Sequence, residues 1–279
     1  MHFRTALAWA ALAATLSLPS HAALETLVEY DSFVSVDGDL DPNLWGPAYG
    51  PVEQKRYINA AGQLELGQRV LAKKTDNTGL TAASYGLAFY DPAKIKEIAA
   101  NVAVLGIGSE PCAANTEIGI STARLAGSFF NSGGKTAGSQ LNDVIAQVRF
   151  ERSAASVAPE GYSNIVARVD KCTSADCSTT TQLFRQQLGA SVAANTSVRL
   201  FLRWDQAAKT FSFKRGADPY ATYTYAMVDT VAPGLPFKAL QIRNIVENCT
   251  ATGALRSGWA AATFDTVYVN ASGDRLPTP

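Results

Sequence analysis

A period-two alternation of apolar and polar residues recurs along the whole chain and constrains the fold more than any other feature. The segment "DVIAQVRFER" places four apolar side chains on one face: Val144, Ala146, Val148 and Phe150. The segments "ASYGLAFY" and "NIVARVD" repeat the pattern, and turn-forming segments such as "NSGGK" and "APGLP" separate such runs. Successive side chains of a strand point to opposite faces, so each run predicts a half-buried antiparallel strand. We therefore expect an all-β protein, a β-sandwich of two antiparallel sheets.

The first residues, "MHFRTALAWAALAATLSLPSHA", have the features of a cleaved secretory signal. Arg4 precedes a short apolar run, and Ser20 and Ala22 stand at the spacing that signal peptidase recognises. The apolar run is shorter than the roughly 20 residues that span a bilayer. We expect a signal peptide at residues 1–22 and a single domain at 23–279, without membrane insertion, in a secreted or periplasmic protein.

Both histidines, His2 and His21, fall within the expected signal. Without histidine, the mature chain cannot form a Ser-His-Asp or Cys-His catalytic arrangement or a histidine metal site. The whole sequence balances 24 basic against 24 acidic residues. This balance gives no general attraction to polyanions such as nucleic acid, so we expect no nucleic acid partner.

Four cysteines follow the expected signal, and an even number in an exported protein indicates disulfides. Three connectivities exist. The short segment "CTSADC" favours a bond between Cys172 and Cys177 across a hairpin tip, which leaves Cys112 to pair with Cys249. A zinc site of four thiolates is the alternative, although the sequence lacks the usual CxxC pairs.

Several stretches, in order along the chain, resemble motifs of the concanavalin A-like, laminin-G-like jelly rolls. They are "YDSFVSVDGDLDPNLW", "AGQLELG", "VRLFLRWDQAAKTFSFKRG" and "TFDTVYVN". The resemblance implies two curved antiparallel sheets packed face to face, with the concave side often open for carbohydrate. No cofactor is implied as a requirement, but some members hold a structural calcium where the first and last strands meet. Asp31 and Asp265 match those positions, and bonds from both carboxylates to loop amides are the alternative.

The catalytic signatures of the family's enzymes are not matched. The endoglucanase run Glu-x-Asp-x-x-Glu is absent, since "EYDSFV" has Val34 in place of the second Glu, and a Gln-Ile-His lyase strand needs histidine. Glu151 with Glu247 is the carboxylate pair that the pattern offers to a hydrolase. Tyr223 or Tyr225 is the corresponding candidate for the base of a lyase.

Polar side chains on three expected strands suggest a binding face, provided that those strands share one sheet. The candidate ligand-binding residues are Gln147, Arg149, Glu151, Arg199, Arg203, Gln241 and Arg243. Arginine and glutamine suit bidentate recognition of polar or anionic sugar chains, whereas the alternative is a plain solvated sheet face. We expect a non-catalytic recognition module with a polysaccharide or cell-surface glycan as partner; a carbohydrate-active enzyme and a structural envelope or matrix protein are the alternatives.

Overall fold

The structure is a computed structural model that describes residues 26–33, 44–45, 54–72, 76–249 and 255–273. The signal expected at residues 1–22 lies outside the described residues, as does the part of the first jelly-roll motif from 34 to 43.

The described residues form fifteen strands and a short terminal 3-10 helix, Ala271–Gly273. In chain order the strands are β1 (Leu27–Asp31), β2 (Gln54–Ile58), β3 (Leu64–Leu71), β4 (Leu80–Ala88), β5 (Glu97–Ser109), β6 (Ile120–Asn131), β7 (Asp143–Ser153), β8 (Tyr162–Cys172), β9 (Thr180–Gln187), β10 (Val192–Ala193), β11 (Val198–Asp205), β12 (Thr210–Arg215), β13 (Ala221–Thr224), β14 (Lys238–Glu247) and β15 (Ser257–Asn270). Within these ranges no helix is long and apolar enough to cross a membrane.

The strands build two antiparallel sheets, as the alternation predicts. The eight-stranded sheet has the order β13-β12-β11-β5-β15-β3-β2, and β1 also pairs with β15. The seven-stranded sheet has the order β10-β8-β7-β6-β14-β4, and β9 also pairs with β8. Hairpins such as β6–β7 and β11–β12 alternate with pairings of strands that are distant in sequence, and the last strand, β15, pairs with the first, β1. The expected two-sheet antiparallel sandwich is confirmed.

The core lies between the two sheets and is formed by the apolar faces that the sequence predicted. Val148 and Phe150 of β7 are fully buried, as are Leu200 and Leu202 of β11 in the other sheet. Aromatic rings bridge the two layers: the centroid of Phe130 on β6 lies 5.7 Å from that of Trp204 on β11. Because one face of each strand is used up in this core, the opposite faces carry the polar side chains outward.

Both expected disulfides are confirmed. Cys112 pairs with Cys249, which joins the segment after β5 to the segment after β14. Cys172 pairs with Cys177 and closes the loop between β8 and β9. Each of the four sulfur atoms belongs to one of these two disulfides, so no thiolate remains for the alternative zinc site.

Candidate functional site

A cleft of about 540 Å³ lies over the outward face of the seven-stranded sheet. Its floor consists of the side chains that alternate with the core residues of β14, β6, β7 and β8. The register places Gln241 of β14 beside Arg124 of β6, and Arg124 beside Arg149 of β7. Adjacent strands are about 4.8 Å apart, so these three side chains form a row across the middle of the sheet.

One wall of the cleft is the loop that the Cys172–Cys177 disulfide closes. Asp176 of this loop lines the cleft. Its carboxylate accepts hydrogen bonds from the backbone N–H of Ser178 and the hydroxyl of Ser174, and these bonds lower its pKa to about 2. This wall is therefore negatively charged at neutral pH.

A second wall of the cleft is an apolar loop that precedes β14. Leu235, Pro236 and Phe237 of this loop line the cleft. The buried carboxylate of Asp143 fixes the loop, because it accepts the backbone N–H of Gly234 at 2.8 Å and that of Leu235 at 3.2 Å. The cleft thus combines a polar floor with one fixed apolar side.

Two of the predicted glutamines orient the arginines of the floor. Arg124 donates from Nε to Gln241 Oε1 at 2.7 Å and from Nη1 to Gln147 Oε1 at 2.8 Å. Arg149 also donates to Gln147 Oε1, at 3.2 Å, and Gln147 Nε2 in turn donates to Asp170. All five residues are buried, so this network holds the guanidinium groups in place before any ligand arrives.

Glu151 is held between two arginines at one end of the floor. Its carboxylate accepts from Arg149 Nε at 2.8 Å and from Nη2 of Arg185. Burial is the largest influence and raises the pKa of Glu151, but the two guanidinium groups together outweigh it and leave the pKa lowered. Glu151 is therefore ionised at neutral pH and is a structural counter-ion of Arg149.

Two other arginines of the floor keep N–H groups free. The Arg243 guanidinium makes no hydrogen bond or ion pair with any described residue. Arg168 uses its Nε for Asp170, and its terminal nitrogens have no partner in the described part of the chain. Burial, and after it the charges of Arg149 and Arg168, lower the pKa of Arg243. The guanidinium groups of Arg149, Arg168 and Arg243 thus repel one another across one cleft, and the Asp170 carboxylate offsets part of this repulsion at Arg243.

Arg199 and Arg203 do not share this surface, so the expectation of one common arginine face is wrong for them. Both belong to β11, which lies in the eight-stranded sheet, whereas Arg149 and Arg243 lie in the other sheet. On β11 the core side is taken by Leu200 and Leu202, so Arg199 and Arg203 lie on the far side of the sandwich. Alternation gave the face of each strand correctly, but it carries no information about which sheet a strand joins.

Glu247 does not pair with Glu151 in the structure. Its buried carboxylate accepts the backbone N–H groups of Cys112 and Gly119. In the register Glu151 is opposite Thr122, and Thr122 is opposite Arg243, four residues before Glu247. Four residues of strand span about 13 Å, whereas glycoside hydrolysis needs carboxyls about 5–9.5 Å apart. The expected catalytic pair is therefore not formed.

The two tyrosines considered as lyase bases lie outside the cleft. The Tyr225 hydroxyl accepts from Trp204 Nε1 at 2.7 Å and donates to Asp229 Oδ2 at 2.7 Å. Burial, followed by the bond to Asp229, raises its pKa. The ring of Tyr223 stacks on Phe184, with centroids 5.4 Å apart. Both tyrosines therefore serve packing on the eight-stranded sheet.

Asp31 and Asp265 lie where the first and last strands meet, as the calcium expectation required. The carboxylate of Asp31 already accepts the backbone N–H of Phe33 and the indole N–H of Trp45, and Asp265 accepts the Thr266 hydroxyl. Calcium takes six to eight oxygen ligands, but the described residues contain no cluster of three or more candidate ligands. Calcium binding stays a prediction on which no step below depends.

Five charged residues in or next to the cleft were missing from the candidate list: Arg124, Arg168, Asp170, Asp176 and Arg185. Arg168 and Asp170 lie on the strand "NIVARVD", opposite the apolar face already assigned, so alternation was sufficient to find them. Arg124 lies on β6, where almost every residue is buried and no alternation is visible. Arg185 lies on an exposed strand and reaches the floor only through its bond to Glu151.

The two sheets and their pairing define a jelly-roll sandwich, and solved structures with a similar fold include an endo-β-galactosidase, a laminarinase and lectins. No protein-family model and no curated protein matches the sequence. One similar structure is the GlcNAcα1-4Gal releasing endo-β-galactosidase from Clostridium perfringens, with 10% identity, a TM-score of 0.45 and coverage of 93% of this chain and 66% of that one. The chain thus spans less than two thirds of that enzyme.

Two further solved structures have a comparable likeness. The laminarinase from Flavobacterium sp. UMI-01 has 12% identity, a TM-score of 0.44 and coverage of 88% and 100% of the two chains. Lectin II from Ulex europaeus has 11% identity, a TM-score of 0.36 and coverage of 88% and 99%. At these values the likeness concerns the fold alone and assigns neither activity nor ligand.

Proposed function

We propose that this chain is a non-catalytic recognition module that binds an anionic oligosaccharide in the cleft of the seven-stranded sheet. The observation that carries the proposal is the Arg243 guanidinium, which has no partner among the described residues and is repelled by Arg149 and Arg168 across the cleft. Four arginines and two aspartates line the cleft, so its lining has a positive excess. A carboxylate or sulfate between Arg168 and Arg243 would relieve the repulsion and accept their free N–H groups.

The shape of the cleft favours a short sugar chain over a simple anion. A volume of about 540 Å³ is typical of sites for small organic molecules rather than single ions. Pro236 and Phe237 supply one apolar wall, against which the C–H face of a sugar ring can pack. The ligand class that fits both the wall and the floor is therefore an oligosaccharide with acidic groups.

A two-carboxylate hydrolase gains no support from the same geometry. Glu151 is ionised and bound by two arginines, so it cannot act as the general acid, and Glu247 is too far along its strand to act with it. The substitution Glu151→Gln tests this point. Turnover of a polysaccharide panel by the wild type, lost in a Glu151→Gln variant that circular dichroism shows to be folded, would favour the enzyme over the binding module.

We also propose that the protein acts outside the cytosol. Two disulfides form and persist in oxidising compartments, which supports the expected site of action outside the cytosol, in the periplasm or beyond it.

Calorimetric titration tests the binding proposal. The probes are tetragalacturonate, a sulfated galactan tetrasaccharide and neutral galactotetraose. We expect at least one acidic probe to bind in preference to the neutral one, and Arg243→Gln to weaken it by about 10- to 100-fold, as expected for loss of a charged hydrogen bond. Arg56→Gln, which removes one charge from β2 in the other sheet, is the control. Equal binding of all three probes, or no effect of Arg243→Gln, would refute the proposal.

A further inference from the structure

A second group of cations occupies the outward face of the eight-stranded sheet, on the opposite side of the sandwich from the cleft. Arg199, Phe201 and Arg203 alternate outward along β11, and the register places Lys214 of β12 opposite Phe201. Tyr268 of β15 lies opposite Ala99 of β5, which in turn is opposite Phe201. We call this surface the outer arginine face; its members are Arg199, Phe201, Arg203, Lys214, Tyr220 and Tyr268.

Aromatic rings support each cation of the outer arginine face. The guanidinium carbon of Arg199 lies 4.3 Å from the ring centre of Tyr268 and 5.2 Å from that of Phe201. The small Ala99 side chain between these two rings leaves room for Arg199 to lie over them. Stacking of this kind holds a guanidinium group by its flat face.

The other end of the outer arginine face repeats the arrangement. Arg203 lies 5.2 Å from the ring centre of Tyr220, and Lys214 lies 5.3 Å from the same centre and 5.5 Å from that of Phe201. Tyr220 is 42% exposed, so the ring and the cations over it are accessible from solvent. Arg199 and Arg203 are half-buried, which fixes their side chains without hiding them.

The two arginines of this face keep their N–H groups unused. Neither guanidinium makes a hydrogen bond or an ion pair with a residue in the described ranges, and the Nε atoms of both are buried without a partner. Buried polar atoms in folded proteins are nearly always paired. Since the rings occupy only the flat faces, the terminal N–H groups of Arg199 and Arg203 remain unpaired and can donate to an acceptor.

We propose that the outer arginine face is a second binding site, for a linear polysaccharide that carries carboxylate or sulfate groups. Arg199 and Arg203 are four residues apart on one strand, or about 13 Å, so a single small anion cannot engage both. Their partner is therefore a chain with acidic groups at intervals.

The charges around the outer arginine face favour a polysaccharide over a nucleic acid. Glu97 is opposite Arg203 in the register, and Asp265 is opposite Asn101, which is opposite Arg199. Two carboxylates thus alternate with the cations. A duplex carries one negative charge per roughly 1.7 Å and would meet both carboxylates, whereas spaced acidic groups can avoid them. The choice of a sugar polymer as the ligand rests on the proposed function of the cleft. The inference that the outer arginine face is a binding site does not depend on that function.

The positions of the two sites would allow one molecule to bind a polymer at two places. The cleft and the outer arginine face lie on opposite sides of the sandwich, so one molecule can hold two polymer chains or two segments of one chain. Two linked sites raise the overall affinity for a long polymer well above that for a fragment that fills only one.

Affinity measurements with fragments and polymers separate the two sites. The proteins are the wild type, R199Q/R203Q, R168Q/R243Q and the control R56Q/K94Q, which removes two cations from other surfaces. The probes are tetragalacturonate, polygalacturonate, dextran sulfate and a 20-base-pair DNA duplex, each at low and high salt. Circular dichroism checks the fold, and Lys214→Glu serves as a second variant of the outer arginine face if R199Q/R203Q does not fold.

We expect R199Q/R203Q to bind tetragalacturonate as the wild type does but to lose at least tenfold in affinity for an acidic polymer, with a weaker dependence on salt. R168Q/R243Q should no longer bind tetragalacturonate but should retain part of its affinity for the acidic polymer. A polymer affinity of R199Q/R203Q within twofold of R56Q/K94Q would overturn the second site, as would a wild type that binds neither polymer. If R199Q/R203Q lost affinity for the DNA duplex but not for the acidic polysaccharides, the outer arginine face would be assigned to nucleic acid instead. Absence of fragment binding in the wild type would refute only the function of the cleft.

Discussion

Lys238, at the start of β14, is a lysine on the core side of the seven-stranded sheet, and its replacement by methionine should change how stability depends on pH. Its side chain is buried, and its Nζ donates to the backbone oxygen of Ser128 at 2.6 Å and to that of Pro92 at 3.3 Å. The ammonium lies 4.2 Å from the ring centre of Phe129. Burial lowers the pKa of Lys238 from 10.5 to about 7, because no described carboxylate compensates the charge.

The direction in which the free energy of unfolding changes with pH follows from the difference in the pKa of Lys238 between the folded and unfolded states. Below pH 7 Lys238 is charged in both the folded and the unfolded state, and the folded state bears the full cost of the buried charge. Between pH 7 and 10.5 the unfolded state binds the extra proton, so the free energy of unfolding rises with pH. One pKa unit corresponds to about 1.4 kcal/mol, so the full rise is about 5 kcal/mol, of which about 2 kcal/mol falls between pH 7 and 9.

Urea unfolding of the wild type and Lys238→Met at pH 7, 8 and 9 measures this rise. The described chain has no histidine and no free cysteine, so few other side chains titrate in this range. Lys238→Met should lose the rise, whereas Lys96→Met, at an exposed position, should keep it. A wild-type profile that is flat from pH 7 to 9, or a Lys238→Met profile with the wild-type slope, would refute the reasoning.

Two further predictions concern the cleft and the disulfides. Glu151→Gln leaves a buried arginine without its counter-ion and should lower the free energy of unfolding at pH 7 by about 3 kcal/mol. Because the pKa of Glu151 is lowered by the two guanidinium groups, the wild type keeps this contribution at neutral pH and loses it as the pH falls through that lowered pKa. Equal stabilities of the two proteins at pH 7 would contradict the buried pair. The Cys112–Cys249 bond spans 137 residues and the Cys172–Cys177 bond spans 5. Paired serine substitutions should therefore cost about 5 and about 2 kcal/mol by loop entropy, and the reverse order in urea unfolding would contradict the estimate.

The fold was accessible from sequence because local alternation reports directly on burial. The apolar positions of "DVIAQVRFER" and "NIVARVD" all lie in the core, since a strand in a two-sheet sandwich has one buried face. Trp259 shows a limit of the same reasoning. It is 41% exposed and lies on the outward side of β15 over Gly108. An aromatic residue in a strand does not by itself say which face is covered.

The candidate site was only partly accessible, because it depends on strand order. Gln147, Arg149, Gln241 and Arg243 do line one cleft, and each was on the correct face of its strand. The addition of Arg199 and Arg203 failed because the chain passes from one sheet to the other between β10 and β11. The sheet that a strand joins is set by its pairing partners, here β5 for β11, and this long-range pairing leaves no periodic signal in the sequence.

Recognition of an acidic sugar by Arg168 and Arg243 of the cleft is tested most directly by a crystal structure of the protein with the acidic tetrasaccharide that binds best in calorimetry. A carboxylate or sulfate oxygen at about 2.7–2.9 Å from nitrogens of both arginines is the predicted result, with a sugar ring against Pro236 and Phe237. A tetrasaccharide bound at another surface, with Arg243 still unpaired in the cleft, would contradict the claim.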